Sequence, residues 1–178
     1  MPDKAIAQTR RWIVDVVVGC NFCPFAAREV KLDTIRYRVV MGKDPKEFLV
    51  AFVEECQHLN REDQVETTLL IFPEALDDFD DYLELLDEAQ FLLERQGYEG
   101  VYQVASFHPQ YRFADARGDD AANYTNRSPY PMLHLLREER VEQALQRYPN
   151  PEKIPENNVQ VARQRGLQAM RALREACL

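Results

Sequence analysis

The chain has 178 residues, 46% of them hydrophobic and 29% charged, values typical of a single globular domain spanning residues 1–178. Its 22 Lys and Arg residues against 30 Asp and Glu residues give a net charge of −8, which would repel a nucleic-acid backbone. No stretch is apolar enough to span a membrane, and the N-terminal residues do not resemble a signal peptide. We therefore expect a soluble, cytoplasmic protein with reduced cysteines and no nucleic-acid or membrane partner. One basic cluster near the C-terminus is interpreted as a solvated helix face: Arg163, Arg165, Arg171 and Arg174.

The first predicted element is a helix over Ala5–Cys20, where apolar residues recur at the spacing of one helical face. A strand is the alternative for the end of this stretch, because Val16, Val17 and Val18 are β-branched. We favour the helix, since the helical period holds over about four turns.

Two similar strand–helix units follow, spaced about 34 residues apart. The first has a half-buried or edge strand at Thr34–Met41 and a helix that starts at Asp44-Pro45. The second has a strand at Thr67–Phe72 that is buried on both sides, and a helix capped by Asp77 or Asp78.

Val101–Phe107 is the third predicted strand. Two helices are predicted after it, over Met132–Tyr148, with a break near Arg137, and over Asn158–Cys177. The prolines of the intervening residues 149–155 indicate a loop. Strands that alternate with helices through short loops predict that all three strands run parallel in one sheet. The predicted fold class is α/β, with a small, mainly parallel sheet of three or four strands and about five helices.

The segment from His108 to Pro131 has neither helical nor strand periodicity, and connections of this length are usually functional or disordered. Its aromatic residues disfavour disorder, and it leaves the carboxyl end of a strand, where parallel sheets bind ligands. It offers donors that suit a carboxylate or a phosphate: Asn123, Thr125, Asn126, Arg127 and Ser128. The alternative is structural, because Asn and Ser also build turns and cap helices.

His108 is the predicted general acid or base of this segment, because histidine exchanges protons near neutral pH. The alternative is that His108, which precedes Pro109, satisfies backbone groups in a turn. Asp115, Asp119 and Asp120 could ligate Mg²⁺, but a solvated loop tip explains them better, and we predict no metal site.

The stretch Gly19–Phe25 is the second candidate site. Its Cys20 and Cys23 form a C-x-x-C pair, but a thioredoxin-like site needs a strand before the pair, and here a helix precedes it. The pair also lacks the partners that a zinc site needs. Cys23 remains a candidate nucleophile, and Asn21 is included among the predicted ligand-binding residues. Burial in the core is the alternative for both thiols, and we expect no functional disulfide between them.

Three motifs stand out together: Gly19-x-Asn21-x-Cys23-Pro24-Phe25, Phe107-His108-Pro109 and Asn123-Tyr124-Thr125-Asn126-Arg127-Ser128-Pro129-Tyr130-Pro131. They resemble a bacterial family known as domain of unknown function 1415, and the likeness extends over nearly the whole chain. The resemblance implies an intracellular bacterial protein and brings no activity with it. The family has an apolar residue where this chain has Cys20, which disfavours redox chemistry through the cysteine pair.

The leading functional hypothesis is a small-molecule enzyme. It would hold an anionic substrate with Arg127 and its polar neighbours, use His108 as acid or base, and have Cys23 as nucleophile or pocket wall. The alternatives are a non-catalytic ligand-binding or protein-interaction domain, and a thiol redox protein using Cys20 and Cys23. A pocket that joins Cys23, His108 and Arg127 would favour the enzyme, whereas a flat aromatic patch would favour docking. The sequence does not predict a cofactor or an oligomeric state.

Overall fold

The computed structural model describes residues 2–178 and has an α/β fold built on one four-stranded sheet. The strands are β1 (Ile35–Val39), β2 (Thr67–Ile71), β3 (Tyr102–Phe107) and β4 (Met132–Arg137). The helices are α1 (Pro2–Trp12), α2 (Ala26–Leu32), α3 (Pro45–Arg61), α4 (Phe79–Arg95), α5 (Glu138–Gln146), α6 (Ile154–Arg165) and α7 (Leu167–Glu175). A π-helix over Ile13–Val18 continues α1, and short 3₁₀-helices lie at Ala121–Thr125 and Pro151–Lys153. Across residues 2–178, no helix combines the length and apolar character that crossing a membrane requires.

The strand order is β1–β2–β4–β3, and it shows that the predicted mainly parallel sheet is wrong. β1 and β2 pair in parallel across the crossover helix α3, with Tyr37 opposite Leu69. β4 lies antiparallel between β2 and β3, so that His134 faces Leu69 on one side and Ala105 on the other. β3 therefore runs in the same direction as β1 and β2, as predicted, but it pairs with β4 and not with β2.

β4 occupies the start of the predicted helix Met132–Tyr148, so that part of the prediction is wrong. Leu133 and Leu135 are fully buried on the face covered by α3 and α4, whereas Met132 is buried on the opposite face. A central strand that is buried on both faces is apolar throughout and lacks the alternation that marks a strand in sequence. The helix begins only after Arg137, the point at which the sequence indicates a break.

The sheet separates two apolar clusters. Helices α3 and α4 form the first cluster. Their largest fully buried side chains are Phe48, Phe52, Leu59 and Tyr82. On the other face, α1, the π-helix, α6 and α7 form the second cluster, which includes Trp12, Val16, Ala162 and Met170. The C-terminal helices thus lie on the same side of the sheet as the N-terminus.

The remaining predicted helices are present, but they begin or end at residues other than those predicted. The helix predicted over Ala5–Cys20 is helical, but it changes from α to π geometry after Trp12. The helix predicted over Asn158–Cys177 is divided into α6 and α7 at Gly166, whose φ of 85° is accessible mainly to glycine. The prolines of residues 149–155 were expected to form a loop, yet α6 already begins at Ile154.

Candidate functional site

The segment of residues 108–131 folds back on itself around the short 3₁₀-helix Ala121–Thr125, whose five residues are all buried. Asn123 is at its centre: its side-chain oxygen accepts from the backbone N–H of Phe113 at 3.1 Å, and its amide nitrogen donates to the carbonyl of Arg117 at 2.8 Å. Both ends of the Asn123 amide therefore hold the backbone of the segment in place.

The other small polar residues of the segment make similar contacts. Thr125 donates to the carbonyl of Ala122 at 2.9 Å, and Asn126 donates to the carbonyl of Ser106 on β3 at 3.1 Å. The hydroxyl of Ser128 donates to the carbonyl of Tyr130 at 2.5 Å. These bonds use the donors that the sequence suggests for a ligand, so ligand binding by Asn123, Thr125, Asn126 and Ser128 stays a prediction.

Arg127 lies partly exposed on the surface of this segment. Its Nε donates to the carbonyl of Tyr111 at 2.9 Å and one terminal nitrogen donates to the carbonyl of Gly118 at 3.0 Å, while the guanidinium stacks 4.8 Å from the ring centre of Tyr124. A guanidinium has five N–H donors, and these bonds occupy two of them. Arg127 thus fixes the segment and keeps donors for a further partner.

Helix α7 brings two more arginines to the same place. Nε of Arg174 donates to the carbonyl of Ser128 at 2.8 Å, and Nε of Arg171 lies 3.5 Å from the hydroxyl of Tyr124. The interpretation of the C-terminal arginines as a solvated helix face holds for Arg171, which is exposed, but is wrong for Arg174, which is partly buried against the segment, because helical spacing does not reveal which loop lies against a helix. We call Arg127, Arg171, Arg174 and Tyr124 the arginine cluster.

The charges of the arginine cluster change the acidity of its members. Burial raises the pKa of Tyr124, but hydrogen bonds and charge from Arg171 and Arg127 outweigh burial and bring this pKa below its usual value. Burial lowers the pKa of Arg174, and the nearby positive charge of Arg127 lowers it further. The guanidinium groups of Arg127 and Arg174 are therefore close enough to repel each other.

The arginines of the cluster have no acidic partner within 4 Å among residues 2–178. Glu175 is the acidic neighbour, and it acts on Arg171 and Arg174 only as a minor electrostatic influence. Arg163 provides the contrast, because it pairs with Asp120 at 2.7 Å and thereby ties the segment to α6. Arg127, Arg171 and Arg174 thus bring three positive charges to one place on an acidic chain.

His108 is fully buried beneath the segment. Its Nδ1 accepts from the backbone N–H of Gln110 at 3.0 Å, and its Nε2 donates to the carbonyl of Leu76 at 2.7 Å, an assignment that corresponds to the neutral ring. The rings of Phe79 and Tyr82 lie 5.1 and 5.0 Å away, and burial lowers the pKa of His108. Both ring nitrogens have partners, so the acid–base role of His108 stays a prediction that these contacts do not support.

Cys20 and Cys23 are both free thiols in the loop that follows the π-helix. Cys20 is buried, and Cys23 is partly buried, with the backbone N–H of Ala26 donating to the carbonyl of Cys23 at 3.3 Å. Burial raises the pKa of both thiols. Asn21 is exposed and adopts a φ of 55°, a left-handed conformation that asparagine tolerates well. No hydrogen bond or aromatic contact within residues 2–178 joins Cys23 to His108 or Arg127.

Two of the three acidic residues of the segment form ion pairs, and Asp115 is exposed. Asp119 pairs with Arg117 and Asp120 with Arg163, at 3.1 and 2.7 Å. Within residues 2–178, no three His, Cys, Asp or Glu side chains converge to form a metal site.

A cavity lies away from the segment. It has a volume of about 320 Å³, and a smaller cavity of about 80 Å³ adjoins it; Arg10, Asp33, Ile35 and Tyr37 line both. Neither cavity is lined by Cys23, His108 or Arg127. Neither of these two cavities is therefore the pocket expected to join the three residues. The arginine cluster lies on the surface.

The fold and the arginine cluster define a class: an α/β protein whose long connection between two adjacent antiparallel strands carries an arginine-rich face. The chain belongs to the family described as Protein of unknown function (DUF1415), which matches residues 4–172 and confirms the resemblance drawn from the motifs. No curated protein and no solved structure matches the chain.

Proposed function

We propose that this protein binds a small anionic molecule, a phosphate ester or a carboxylate, at the arginine cluster. One observation carries the proposal: Arg127, Arg171 and Arg174 gather around Tyr124 without a carboxylate within 4 Å. Positive charges held this close repel one another, and a bound anion would relieve that repulsion.

The hydrogen-bond pattern supports the same conclusion. Arg171 and Arg174 each use Nε for a contact with the protein, and Arg127 uses Nε and one terminal N–H. Terminal N–H groups on all three side chains have no partner among residues 2–178. Paired terminal N–H groups bind the oxygens of phosphates and carboxylates strongly, and the Nε contacts hold the side chains in position beforehand.

A second candidate function, catalysis on the bound anion, is favoured by Tyr124. Its pKa is lowered by two arginines that would also contact the ligand, so its phenol is placed to exchange a proton at the site. Thiol redox chemistry has less support, because burial raises the pKa of Cys20 and of Cys23 and so disfavours the reactive thiolates.

A thermal-shift comparison tests anion binding. Inorganic phosphate, citrate and a panel of small phosphate esters are added to wild type, to Arg171→Gln and to Arg127→Lys. Arg171 is exposed and contacts only the Tyr124 hydroxyl, so Arg171→Gln should leave the fold intact. For wild type, an anion at about 100 times its Kd should raise Tm by roughly 5–10 °C. Both variants should show a response reduced by at least half.

The matched control is Arg140→Gln, which removes an exposed arginine on α5, outside the cluster. It should respond to anions as wild type does. If no anion in the panel stabilises the wild type, or if Arg171→Gln responds as strongly as Arg140→Gln, anion binding at the cluster is refuted.

A further inference from the structure

The two outer edges of the sheet differ in how they are covered. At the β3 edge, the backbone N–H of Tyr102 donates to the carbonyl of Tyr98, and the carbonyl of Ser106 accepts from the side chain of Asn126. The chain therefore covers both ends of this edge with its own groups. Natural proteins protect exposed strand edges in this way, because an unpaired edge is a template for another strand.

The outer edge of β1 has no such cover. The carbonyl of Thr34 accepts from Glu66, and the N–H of Val40 donates to Ile71, so the even-numbered residues direct their backbone groups towards β2. In a parallel strand the residues between them direct both N–H and C=O away from that partner. These are Ile35, Tyr37 and Val39, whose backbone groups by this alternation point to the outer edge, where no other strand within residues 2–178 pairs with β1.

The spacing of these three residues makes the edge complementary to itself. If a second β1 strand runs antiparallel, with Tyr37 opposite Tyr37, then Ile35 stands opposite Val39 on both sides of the two-fold axis. Every outward N–H then meets an outward carbonyl of the other strand, because opposed residues of this kind exchange both hydrogen bonds. No shift in register and no insertion is needed.

The charges beside the edge allow this pairing. In the antiparallel register Arg36 would lie opposite Arg38 of the second copy, and like charges in that position repel. Each arginine is already neutralised within its own chain: Arg36 pairs with the buried Glu55 at 2.7 Å, and Arg38 pairs with Glu54 at 3.1 Å.

Apolar groups on the other face of β1 favour the same contact. Val14 is 47% exposed and lines the smaller cavity beside the edge, together with Ile35 and Tyr37. The larger cavity of about 320 Å³ opens at the same place and leaves room for side chains of an incoming strand.

We propose that two copies of this chain associate through their β1 edges, which joins their four-stranded sheets into one continuous sheet across a two-fold axis. The occupant of the edge is a second copy, because a strand with this symmetric arrangement of outward groups meets its complement in itself. This inference is independent of the arginine cluster, which lies at the other end of the strand order.

Sedimentation equilibrium on the full chain, over a wide range of protein concentration, tests the proposal. The mass should rise with concentration from 20.8 kDa towards twice that value. Tyr37→Pro removes an N–H that points to the outer edge of β1, so the sheet should persist by circular dichroism while dimerisation weakens at least tenfold. A wild type that stays monomeric at every concentration, or a folded Tyr37→Pro variant that dimerises equally well, overturns the proposal.

A second variant keeps the test decisive if proline unfolds the strand. Directly opposed residues of such a pair have Cα atoms about 5.5 Å apart, within the range for a disulfide. Tyr37→Cys in a Cys23→Ser background should therefore give a covalent dimer on mild oxidation. Val50→Cys, at a 57% exposed position on α3, is the matched control and should not. A dimer that cross-links through Val50→Cys and not through Tyr37→Cys uses another surface, and refutes pairing at β1.

Discussion

Two opposing effects act on the pKa of Tyr124 at the candidate site. Its ring is buried, which disfavours the phenolate, while Arg171 and Arg127 favour it. The arginines prevail because the hydroxyl is the point where their hydrogen bonds and charges converge. A phenol in this position reports directly on the charge of the arginine cluster.

We predict that Tyr124 ionises below the usual tyrosine pKa of 10.0. Absorbance at 295 nm during a pH titration, taken as wild type minus Tyr124→Phe, isolates it from the other tyrosines. In Arg171→Gln its pKa should rise. Between its folded pKa and 10.0 only the unfolded state keeps the proton, so wild type should gain stability with rising pH relative to Tyr124→Phe. A midpoint at or above pH 10.0 in the difference titration would contradict the predicted lowering of the Tyr124 pKa.

The small polar residues of the segment show what residue type alone cannot reveal. The sequence predicts a site in this segment from its polar residues and Arg127, and that prediction remains open. Asn123 and Ser128 were predicted as ligand donors because they are hydrogen-bonding residues, yet their bonds go to the local backbone. Whether a donor faces a ligand or its own loop depends on the backbone conformation of the loop, which residue type alone does not determine.

Among the elements, the transition from α1 to the loop of residues 19–25 is closely packed. The N–H of Gly19 donates to the carbonyl of Val14 at 3.0 Å, five residues earlier, as in a π-helix. A Cβ atom on Gly19 would lie 2.3 Å from the carbonyl oxygen of Asp15. Only glycine fits this turn, which accounts for the first residue of the Gly-x-Asn-x-Cys-Pro-Phe motif on structural grounds.

We predict that Gly19→Ala destabilises the protein by about 2–3 kcal/mol, because the backbone must shift to relieve the overlap. Urea unfolding measures the loss. Gly118→Ala is the matched control, since a Cβ there meets nothing within 4 Å, and its free energy of unfolding should stay within about 0.5 kcal/mol of wild type. Equal stability of the two variants would show that the π-helical turn is not as tight as described.

Elements with a clear pattern were predictable from sequence, and those without one were not. β2 is a short apolar run that is buried at every position, and α3 begins with a proline. The sequence predicts both of these elements. β4, like β2, lacks a regular alternation of apolar and polar residues, and the charged residues of α5 follow it without a break. The sequence therefore predicts one helix over β4 and α5. An apolar run of this length fits a strand or a buried helix equally well.

At the scale of the whole molecule, the order of strands was beyond the sequence. The helices α3 and α4 link successive strands, and this determines that β1, β2 and β3 run in one direction. The insertion of β4 between β2 and β3 depends on pairing between residues far apart along the chain, such as Leu70 with Leu133, and no local pattern records it. The same insertion brings the segment of residues 108–131 against α7, where the arginine cluster forms.

The arginine cluster carries positive charge on a chain whose net charge is −8. Arg36 and Arg163 have acidic partners, whereas the arginines around Tyr124 have none within 4 Å among residues 2–178. Their proximity to one another around Tyr124 distinguishes them from single unpaired arginines such as Arg140. A local positive region on an acidic protein should bind anions by direct contact, and added salt should weaken that binding.

Anomalous diffraction from crystals soaked in selenate is the most direct test of the anion site, because selenium marks the position of a phosphate-like anion. We expect a selenium peak within hydrogen-bond distance of terminal nitrogens on at least two of Arg127, Arg171 and Arg174, with clearly lower occupancy in Arg171→Gln crystals. An empty cluster in wild-type crystals, with selenate bound only at other surfaces, would refute anion binding at the arginine cluster.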